Sequence, residues 1–228
     1  MISAKKLTKT YTNGEIVTPV LKNINLEIKQ GEFVAIMGKS GAGKSTLLYQ
    51  LSLLDMPTSG TVMIGDIDVL SLSETERTNF RLSKLGFIFQ DYALVPELTA
   101  EENVAMPLLM QGIQRSDAMQ KARTIIDNID MIGKYTNRPN QLSGGQQQRI
   151  SIARAIVQEP EILFADEPTA NLDSASSNQV IDLMHDLHKM GQTIVMVTHE
   201  PEYTKYCDRI IYLEDGEITS HDYKIKNL

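Results

Sequence analysis

A glycine-rich segment, Gly38–Ser45, constrains the fold of this chain more than any other feature. Its residues read GKSGAGKS and fit the pattern G-x-x-x-x-G-K-[ST]. The apolar run Phe33–Met37 precedes the segment and predicts a buried strand. Leucine follows the segment at helical spacing, at Leu47, Leu48, Leu51 and Leu54. A strand, a glycine loop and a helix in this order are typical of a phosphate-binding core.

Each residue type in the loop suits phosphate binding. Glycine lets backbone N–H groups approach phosphate oxygens closely, the Lys44 ammonium reaches the β- and γ-phosphates, and the Ser45 hydroxyl ligates Mg²⁺. A purely structural turn would have no need of the lysine. We therefore predict a nucleoside triphosphate site with the loop residues Gly38, Lys39, Ser40, Gly41, Ala42, Gly43, Lys44 and Ser45.

Further apolar runs predict a mostly parallel sheet around this loop. Ile162–Ala165 and Thr193–Val197 have the composition of fully buried strands. One helical face between them contains Val180, Ile181, Met184, Leu187 and Met190, and Gly191 ends the helix. Buried strands that alternate with helices imply a parallel sheet covered on both faces. The predicted fold class is therefore α/β, with a P-loop NTPase core.

Two further segments are predicted to belong to this fold. The runs Leu7–Tyr11, Leu21–Ile28 and Thr61–Ile64 alternate or carry β-type residues, and turn signals separate them. They predict an N-terminal antiparallel β layer. Residues 94–150 are mainly helical in pattern and predict an inserted helical subdomain before the sheet resumes.

Polar side chains follow several of the predicted strands. Asp166 and Glu167 come directly after the strand at 162–165, and His199 follows the next strand along the chain. Gln90 follows a shorter apolar run. Because the carboxyl ends of parallel strands share one edge of a sheet, we expect these side chains beside the glycine loop. There Asp166 suits Mg²⁺ binding, either directly or through a ligand of the ion, and Glu167 suits polarising the attacking water.

A second candidate anion site is Leu142–Gln146, with the sequence LSGGQ. The Ser143 hydroxyl can cap a helix, and Gly144 and Gly145 let backbone N–H groups approach a ligand. The segment that follows, up to Val157, is helical in pattern. An anion at a helix N-terminus is stabilised by unpaired N–H donors and by the helix macrodipole.

Composition narrows the possible partners and location. The net charge is −7, so the chain as a whole does not attract the phosphate backbone of nucleic acid. A local basic patch that binds nucleic acid is not excluded by this charge. No apolar stretch approaches the roughly 20 residues of a membrane-spanning helix. The first ten residues lack the apolar core of a signal peptide, which favours a cytoplasmic location. The single cysteine, Cys207, cannot form a disulfide within the chain.

In their order along the chain, these motifs resemble those of the nucleotide-binding subunits of ATP-binding cassette (ABC) transporters. The resemblance covers essentially the whole chain, and Leu142–Gln146 matches the family signature without a departure. It implies the ABC ATPase fold in a single domain over residues 1–228, with ATP and Mg²⁺ as cofactors. No catalytic position is degenerate, so the resemblance also implies ATP hydrolysis.

The resemblance implies roles for individual residues. The implied catalytic residues are Lys44, Glu167 and His199, and the implied Mg²⁺ ligands are Ser45, Gln90 and Asp166. Nucleotide contacts beyond the residues already given are implied for Tyr11, Thr46, Gln90, Ser143, Gly144, Gly145, Gln146 and Asp173. Tyr11 matches the aromatic residue that stacks on adenine. The pair Ala170-Asn171 departs from the Ser-Ala of many members, which leaves the contacts of Asn171 open.

The family arrangement implies two kinds of partner. In a head-to-tail pair, each ATP lies on the glycine loop of one copy and under Ser143–Gln146 of the second copy. A separate transmembrane permease docks near Gln90 and residues 95–112, which places the chain on the inner face of the cell membrane. The sequences around the motifs look most like those of one family branch, which contains macrolide exporters, lipoprotein-releasing systems and antimicrobial-peptide resistance transporters. This implies export of a lipophilic compound, a peptide or a lipoprotein.

Two alternatives use the same motifs. An ATP-dependent scaffold of an envelope or cell-division complex would hydrolyse little ATP, and intact Glu167 and His199 do not exclude it. A DNA-repair ATPase of the same superfamily would need a long coiled coil between Gln90 and Leu142, where the chain has room only for a compact subdomain. The transported molecule is not encoded in these motifs.

Overall fold

The computed structural model describes residues 2–14 and 16–223 of this 228-residue chain. The predicted domain, 1–228, also includes Met1, Glu15 and residues 224–228, which lie outside the described residues. The chain divides into two compact units. The first unit combines residues from 1–78 and 191–228, and the second unit consists of residues 79–190.

Strands and helices alternate along most of the described chain. Its strands are β1 (Ile2–Asn13), β2 (Ile16–Ile28), β3 (Phe33–Met37), β4 (Ser59–Ile64), β5 (Ile67–Asp68), β6 (Leu85–Ile88), β7 (Ile162–Asp166), β8 (Thr193–Val197), β9 (Arg209–Glu214) and β10 (Glu217–Tyr223). Its α-helices are α1 (Lys44–Leu51), α2 (Glu74–Lys84), α3 (Ala100–Met110), α4 (Arg115–Asn128), α5 (Gly144–Ile156) and α6 (Ser174–Lys189). Short 3₁₀ helices lie at Pro139–Gln141 and Pro201–Tyr206. None of these described helices is both long and apolar enough to cross a membrane.

The first unit contains an antiparallel sheet and a mainly parallel set of strands. The antiparallel sheet has the order β2-β1-β4-β5, which confirms the predicted N-terminal β layer. Its first two strands are longer than predicted, because their backbones pair from Ile2 with Ile28 to Asn13 with Ile16. In the other set the order is β10-β9-β3-β8, and β3 lies parallel to both β8 and β9.

The central strands of the first unit are fully buried. Every residue of β3 and of β8 is inaccessible or nearly so, as their continuous apolar runs predict. Helix α1 buries Leu47, Leu48 and Leu51. The helix ends at Leu51, so Leu54 lies beyond it and is 44% exposed, contrary to the predicted leucine spacing. The glycine loop therefore connects a buried strand to a buried helix.

The second unit contains a parallel strand pair and most of the helices. Strands β6 and β7 pair in parallel, with Ile88 opposite Ala165. Helices α3, α4 and α5 share an apolar cluster whose buried members include Ala100, Val104, Ala105, Leu108, Ala118, Ala122, Ile126, Ile150 and Ala153. The predicted helical segment, 94–150, contains α3 and α4. Helix α5 continues past it to Ile156, because its buried residues continue.

Helices α2 and α6 both depart from the sequence prediction. Helix α2 is not predicted, because none of the residues described in it is buried and no apolar periodicity marks it. Its charges suit the helix macrodipole, with Glu74 and Glu76 in the first turn and Lys84 in the last. Met190 was expected on the buried face of α6, but the helix ends at Lys189 and Met190 is 76% exposed.

Candidate functional site

The glycine loop has a backbone shape that glycine alone allows. It starts directly after β3, and Gly43 caps α1. Gly38 and Gly43 have φ values of +156° and +97°, which L side chains rarely adopt. A Cβ atom on Gly38 would also lie 2.1 Å from the carbonyl oxygen of Leu213. The spacing of these glycines therefore follows from the path of the backbone.

Lys44 folds back over this loop. The residue is only 7% exposed, and its Nζ donates to the carbonyl oxygens of Gly38 and Lys39 at 3.0 and 3.1 Å. The side chain of Lys39 extends outward instead, being 87% exposed with its Nζ 3.5 Å from Glu214. The loop thus holds one ammonium group, that of Lys44, against its own backbone.

The start of α1 has the properties of a phosphate site. No side chain of the described residues caps this helix, and its first turn contains no acidic residue. The first N–H groups of a helix lack partners within it, and together with the macrodipole they favour an anion. Ser45 and Thr46 add hydroxyl groups to the same turn. The residues present therefore fit a phosphate group, and Ser45 offers the oxygen donor that Mg²⁺ prefers.

His199 lies at the same edge of the first unit as the glycine loop. Strands β3 and β8 are parallel neighbours, and the N–H of Thr198 donates to the carbonyl oxygen of Ile36 at 3.2 Å. The chain leaves β8 through the buried Thr198, and His199 follows with an exposed side chain. The structure thus brings two of the predicted strand-end features to one edge.

Asp166, Glu167 and Gln90 share a strand edge in the second unit. Asp166 is the last residue of β7 and is 5% exposed. Glu167 has a φ of +43°, in the left-handed region, which costs a non-glycine residue about 1–2 kcal/mol. Such a backbone persists where the surrounding structure fixes it, often at functional positions. Gln90 is exposed and follows β6, the parallel neighbour of β7.

Residues 89–93, which we call the Gln90 loop, are held by side chains from elsewhere in the second unit. The buried Gln148 of α5 donates from Nε2 to the carbonyl oxygen of Pro168 at 2.7 Å and to that of the loop's first residue at 3.4 Å. Asn171 donates from Nδ2 to the carbonyl oxygen of Gln90 at 3.0 Å. The contacts of Asn171 that the sequence leaves open therefore include the Gln90 loop.

A third side chain holds the far end of the Gln90 loop. Tyr92 and Ala93 have φ values of +63° and +49°. The Arg154 guanidinium donates to both of their carbonyl oxygens, at 2.9 and 2.5 Å respectively. Burial lowers the pKa of Arg154 from its usual value. Two hydrogen bonds from a cation thus stabilise a turn whose backbone is locally unfavourable.

Ser143 is the N-cap of α5, as predicted. Its Oγ accepts from the N–H of Gln146 at 3.3 Å, and Gln146 Oε1 accepts from the N–H of Ser143 at 3.0 Å. The two residues form a capping box, which satisfies two N–H groups at the helix start. Helix α5 ends at Ile156, one residue before the predicted limit.

Packing within the second unit also requires the two glycines of LSGGQ. A Cβ atom on Gly145 would lie 2.7 Å from the side chain of Ser176. A Cβ atom on Gly144 would lie 2.9 Å from the hydroxyl oxygen of Tyr92, in the Gln90 loop. Close packing against α6 and the Gln90 loop is therefore a second reason for these glycines, beside the predicted approach to a ligand.

Asp173 is the N-cap of α6. Its Oδ1 accepts from the N–H of Ser176 at 2.9 Å, and its Oδ2 accepts from the Ser176 hydroxyl at 2.9 Å. These hydrogen bonds lower the pKa of Asp173. The cap gives this aspartate a structural role, beside the nucleotide contact that the family resemblance implies.

Tyr11 presents an accessible ring in β1 of the first unit. The residue is 42% exposed, and its hydroxyl donates to Asp55 Oδ2 at 2.8 Å. Asp55, Gln148 and Arg154 are not among the predicted site residues. Most of their partners lie 20 or more residues away in the sequence, so no local motif marks them.

Residues 21–170 match the family described as ABC transporter. The chain belongs to this family. Its α/β fold, with parallel strands, an N-terminal antiparallel layer and added helices, is that of the ABC ATPases. The protein is an ABC ATPase of the ATP-binding subunit type.

Known relatives resemble this ABC ATPase over nearly its whole length. It is 50% identical over 218 residues to "Uncharacterized ABC transporter ATP-binding protein MJ1508" of Methanocaldococcus jannaschii, covering 96% of this chain and 97% of that protein. It is 45% identical to "Lipoprotein-releasing system ATP-binding protein LolD" of Geobacter metallireducens, covering 96% and 98%. It is 46% identical to "Macrolide export ATP-binding/permease protein MacB" of Campylobacter fetus, covering 96% of this chain and 34% of that longer protein.

A solved structure supports the same assignment. The ABC ATPase superposes with a TM-score of 0.91 on the "ATP-binding cassette MJ0796 bound to ADP and Pi", described as the dimeric structure of a post-hydrolysis state. The two chains are 43% identical, and the match covers 98% of each.

Proposed function

We propose that this ABC ATPase binds Mg-ATP on its glycine loop and hydrolyses it to energise a separate membrane permease. In this proposal residues 1–228 act as one ATPase domain, and Lys44 neutralises charge on the phosphates. Glu167 and His199 orient the attacking water. Mg²⁺ would be held by oxygen donors from Ser45, Gln90 and Asp166, and when bound it neutralises phosphate charge.

The observation that carries this proposal is the loop with Lys44 folded over it. Phosphoryl transfer depends on positioning and charge neutralisation more than on covalent chemistry. The first unit supplies an uncapped helix N-terminus, a buried ammonium group and hydroxyl groups within one turn of each other. These groups match a triphosphate in charge and hydrogen bonding, since all of them donate to an anion.

A second copy completes the site in this proposal. The segment Ser143–Gln146 has a helix N-terminus but no lysine, so it suits a nucleotide that another loop already holds. Asp173 is a further proposed contact to the nucleotide. The relative MJ0796 is described as dimeric with ADP and Pi bound, which supports a pair for this chain. The γ-phosphate then holds the copies together, and hydrolysis releases them.

The family and two relatives support the proposed permease partner. MacB is named for macrolide export and LolD for lipoprotein release. We therefore propose export or extrusion of a lipophilic compound, a peptide or a lipoprotein, with the ATPase on the cytoplasmic face of the membrane. The Gln90 loop and residues 95–112 are the proposed docking surface. Nucleic acid is not a proposed partner, given a net charge of −7.

ATPase assays with and without the co-purified permease test this function. We expect Mg²⁺-dependent hydrolysis by the chain alone, and a rate that rises several-fold when the permease is present in a lipid bilayer. A rate that the permease leaves unchanged would favour the scaffold alternative. Stimulation by duplex DNA instead would contradict transport coupling.

A further inference from the structure

Asp55 is the centre of a hydrogen-bond network that the proposed mechanism does not use. Its Oδ2 accepts from the Tyr11 hydroxyl at 2.8 Å and from Gln50 Nε2 at 2.9 Å. Its Oδ1 accepts from Lys9 Nζ and from the N–H of Met56, each at 2.8 Å. One carboxylate thus joins β1, which carries Tyr11 and Lys9, to Gln50 of α1.

The network connects Tyr11 to the helix of the glycine loop. Gln50 is fully buried in α1, the helix that begins at Lys44. The side chain of Thr46, in the first turn of α1, acts on the Tyr11 phenol in the direction that lowers its pKa. The phenol oxygen is therefore held relative to α1 by Gln50, through Asp55.

The network also leaves the Tyr11 ring open on one side. The Lys9 ammonium lies over the ring, 4.7 Å from its centroid, in a cation–π contact. Lys9 itself is held by Asp55 and by the Met56 carbonyl oxygen, to which it donates at 2.6 Å. The ring remains 42% exposed. A flat group can therefore stack only on the face that Lys9 does not cover.

The charges within the network are consistent with a fixed arrangement. Burial alone would raise the pKa of Asp55, but the hydrogen bonds from Lys9, Tyr11 and Met56 outweigh it and lower the pKa. Burial raises the pKa of Tyr11, and its hydrogen bond to Asp55 raises it further. At neutral pH the phenol is therefore the donor and the carboxylate the acceptor.

We propose that Asp55 is a positioning residue that fixes the Tyr11 ring beside α1, so that its open face stacks on the base of a nucleotide bound to the glycine loop. The inference rests on the proposed function, because it assumes nucleotide phosphates on that loop. It adds the role of Asp55, with Lys9 covering the opposite ring face. Stacking on an aromatic ring accepts any base, so this contact strengthens binding without selecting adenine.

Two variants cut the same bond from opposite sides. Tyr11→Phe keeps the ring and removes its hydroxyl. Asp55→Ala removes both carboxylate oxygens and with them the acceptor for the phenol. Lys9 keeps its hydrogen bond to the Met56 carbonyl oxygen in that variant. Asp66→Ala is the matched control, since Asp66 is exposed in the same unit and outside the network.

Isothermal titration with Mg-ATP and with Mg-tripolyphosphate separates base contacts from phosphate contacts. We expect Tyr11→Phe and Asp55→Ala each to raise the Kd for ATP about threefold to tenfold, the effect of one lost hydrogen bond to the phenol. Their Kd for tripolyphosphate should stay within about twofold of wild type, because that probe has no base. The double variant should bind ATP no more weakly than Asp55→Ala alone, since both single changes remove the same phenol–carboxylate hydrogen bond. Asp66→Ala should change neither constant.

Three results would overturn the inference while leaving the proposed function intact. The first is an equal rise in the Kd for ATP and for tripolyphosphate in the variants. The second is an unchanged Kd for ATP in both variants. The third is a wild-type protein that binds tripolyphosphate as tightly as ATP. A wild-type protein that binds neither probe would instead contradict the proposed function itself.

Discussion

The side-chain amide of Asn171 donates a 3.0 Å hydrogen bond to the backbone carbonyl oxygen of Gln90. This bond joins the segment after β7 to the Gln90 loop, which we propose as part of the permease docking surface.

Asn171→Ala removes this hydrogen bond, and a hydrogen bond of this kind contributes about 1 kcal/mol to stability. We expect faster hydrogen–deuterium exchange in residues 89–93 by mass spectrometry. The control is Asn178→Ala, an exposed position in α6. Equal exchange in both variants would show that the bond does not hold the loop.

Lys44→Ala should weaken nucleotide binding directly. The change removes an ammonium group that the loop holds against its own backbone. Hydrogen bonds to charged groups contribute about 1.5–3 kcal/mol, so the Kd for Mg-ATP should rise by roughly tenfold or more. Lys22→Ala removes the same formal charge from an exposed side chain outside the glycine loop, and we expect its Kd to stay within about twofold of wild type. Similar losses in both variants would mean that net charge alone is responsible.

Ser143→Arg should leave nucleotide binding to the isolated copy nearly unchanged and abolish cooperative ATPase activity. The substitution places a bulky cation where the second copy is proposed to meet ATP. It also removes a helix cap, which costs about 1 kcal/mol. Thr99→Arg is the control, because Thr99 and Glu102 form an equivalent capping box at the start of α3. ATPase rates against protein concentration, measured without permease, give the comparison. Unaltered cooperativity in Ser143→Arg would argue against a shared site.

Local sequence signals predict the elements that carry the site, because one short segment determines each of them. The run Phe33–Met37 followed by glycine predicts β3 and its loop, and Ser143 followed by Gln146 predicts the cap of α5. Strand β9 is absent from the prediction, although the apolar residues Ile210, Ile211 and Leu213 give a signal for it. Helix α2 gives no such signal, since its described residues are all accessible.

Contacts between distant residues are beyond such signals. Lys9 and Asp55 are 46 residues apart, and Asn171 and Gln90 are 81 residues apart. No spacing rule joins residues at these separations, because the fold alone brings them within hydrogen-bond distance. The sequence shows that Asn171 departs from the family pattern, but it does not show that Asn171 hydrogen-bonds to Gln90. The positioning of the site is therefore less predictable than its chemistry.

The stability of the folded chain should fall as the pH drops below about 6.5, the unperturbed pKa of histidine. Burial lowers the pKa of His185, and the positive charges of Lys189 and His188 act in the same direction against Asp186 and Asp182. The unfolded chain then binds a proton more readily than the folded chain, so the free energy of unfolding decreases as pH falls through this window. One proton accounts for at most about 1.4 kcal/mol per pH unit.

Chemical denaturation at pH 8 and pH 5.5 checks this dependence. His185→Gln should reduce the pH slope of the unfolding free energy. Some slope should remain, because burial and Arg209 also lower the pKa of His221. A slope that is the same in the variant and in wild type would show that His185 does not contribute.

The shared ATP site is tested most directly by the mass of Glu167→Gln in solution. The amide cannot act as a base toward water but leaves the glycine loop intact, so ATP should bind and persist. Light scattering after gel filtration should then give twice the 25.5 kDa of one chain with Mg-ATP, and 25.5 kDa with Mg-ADP. Adding Ser143→Arg should return the ATP-bound protein to the single-chain mass. A Glu167→Gln protein that binds ATP yet stays at 25.5 kDa would contradict the shared site.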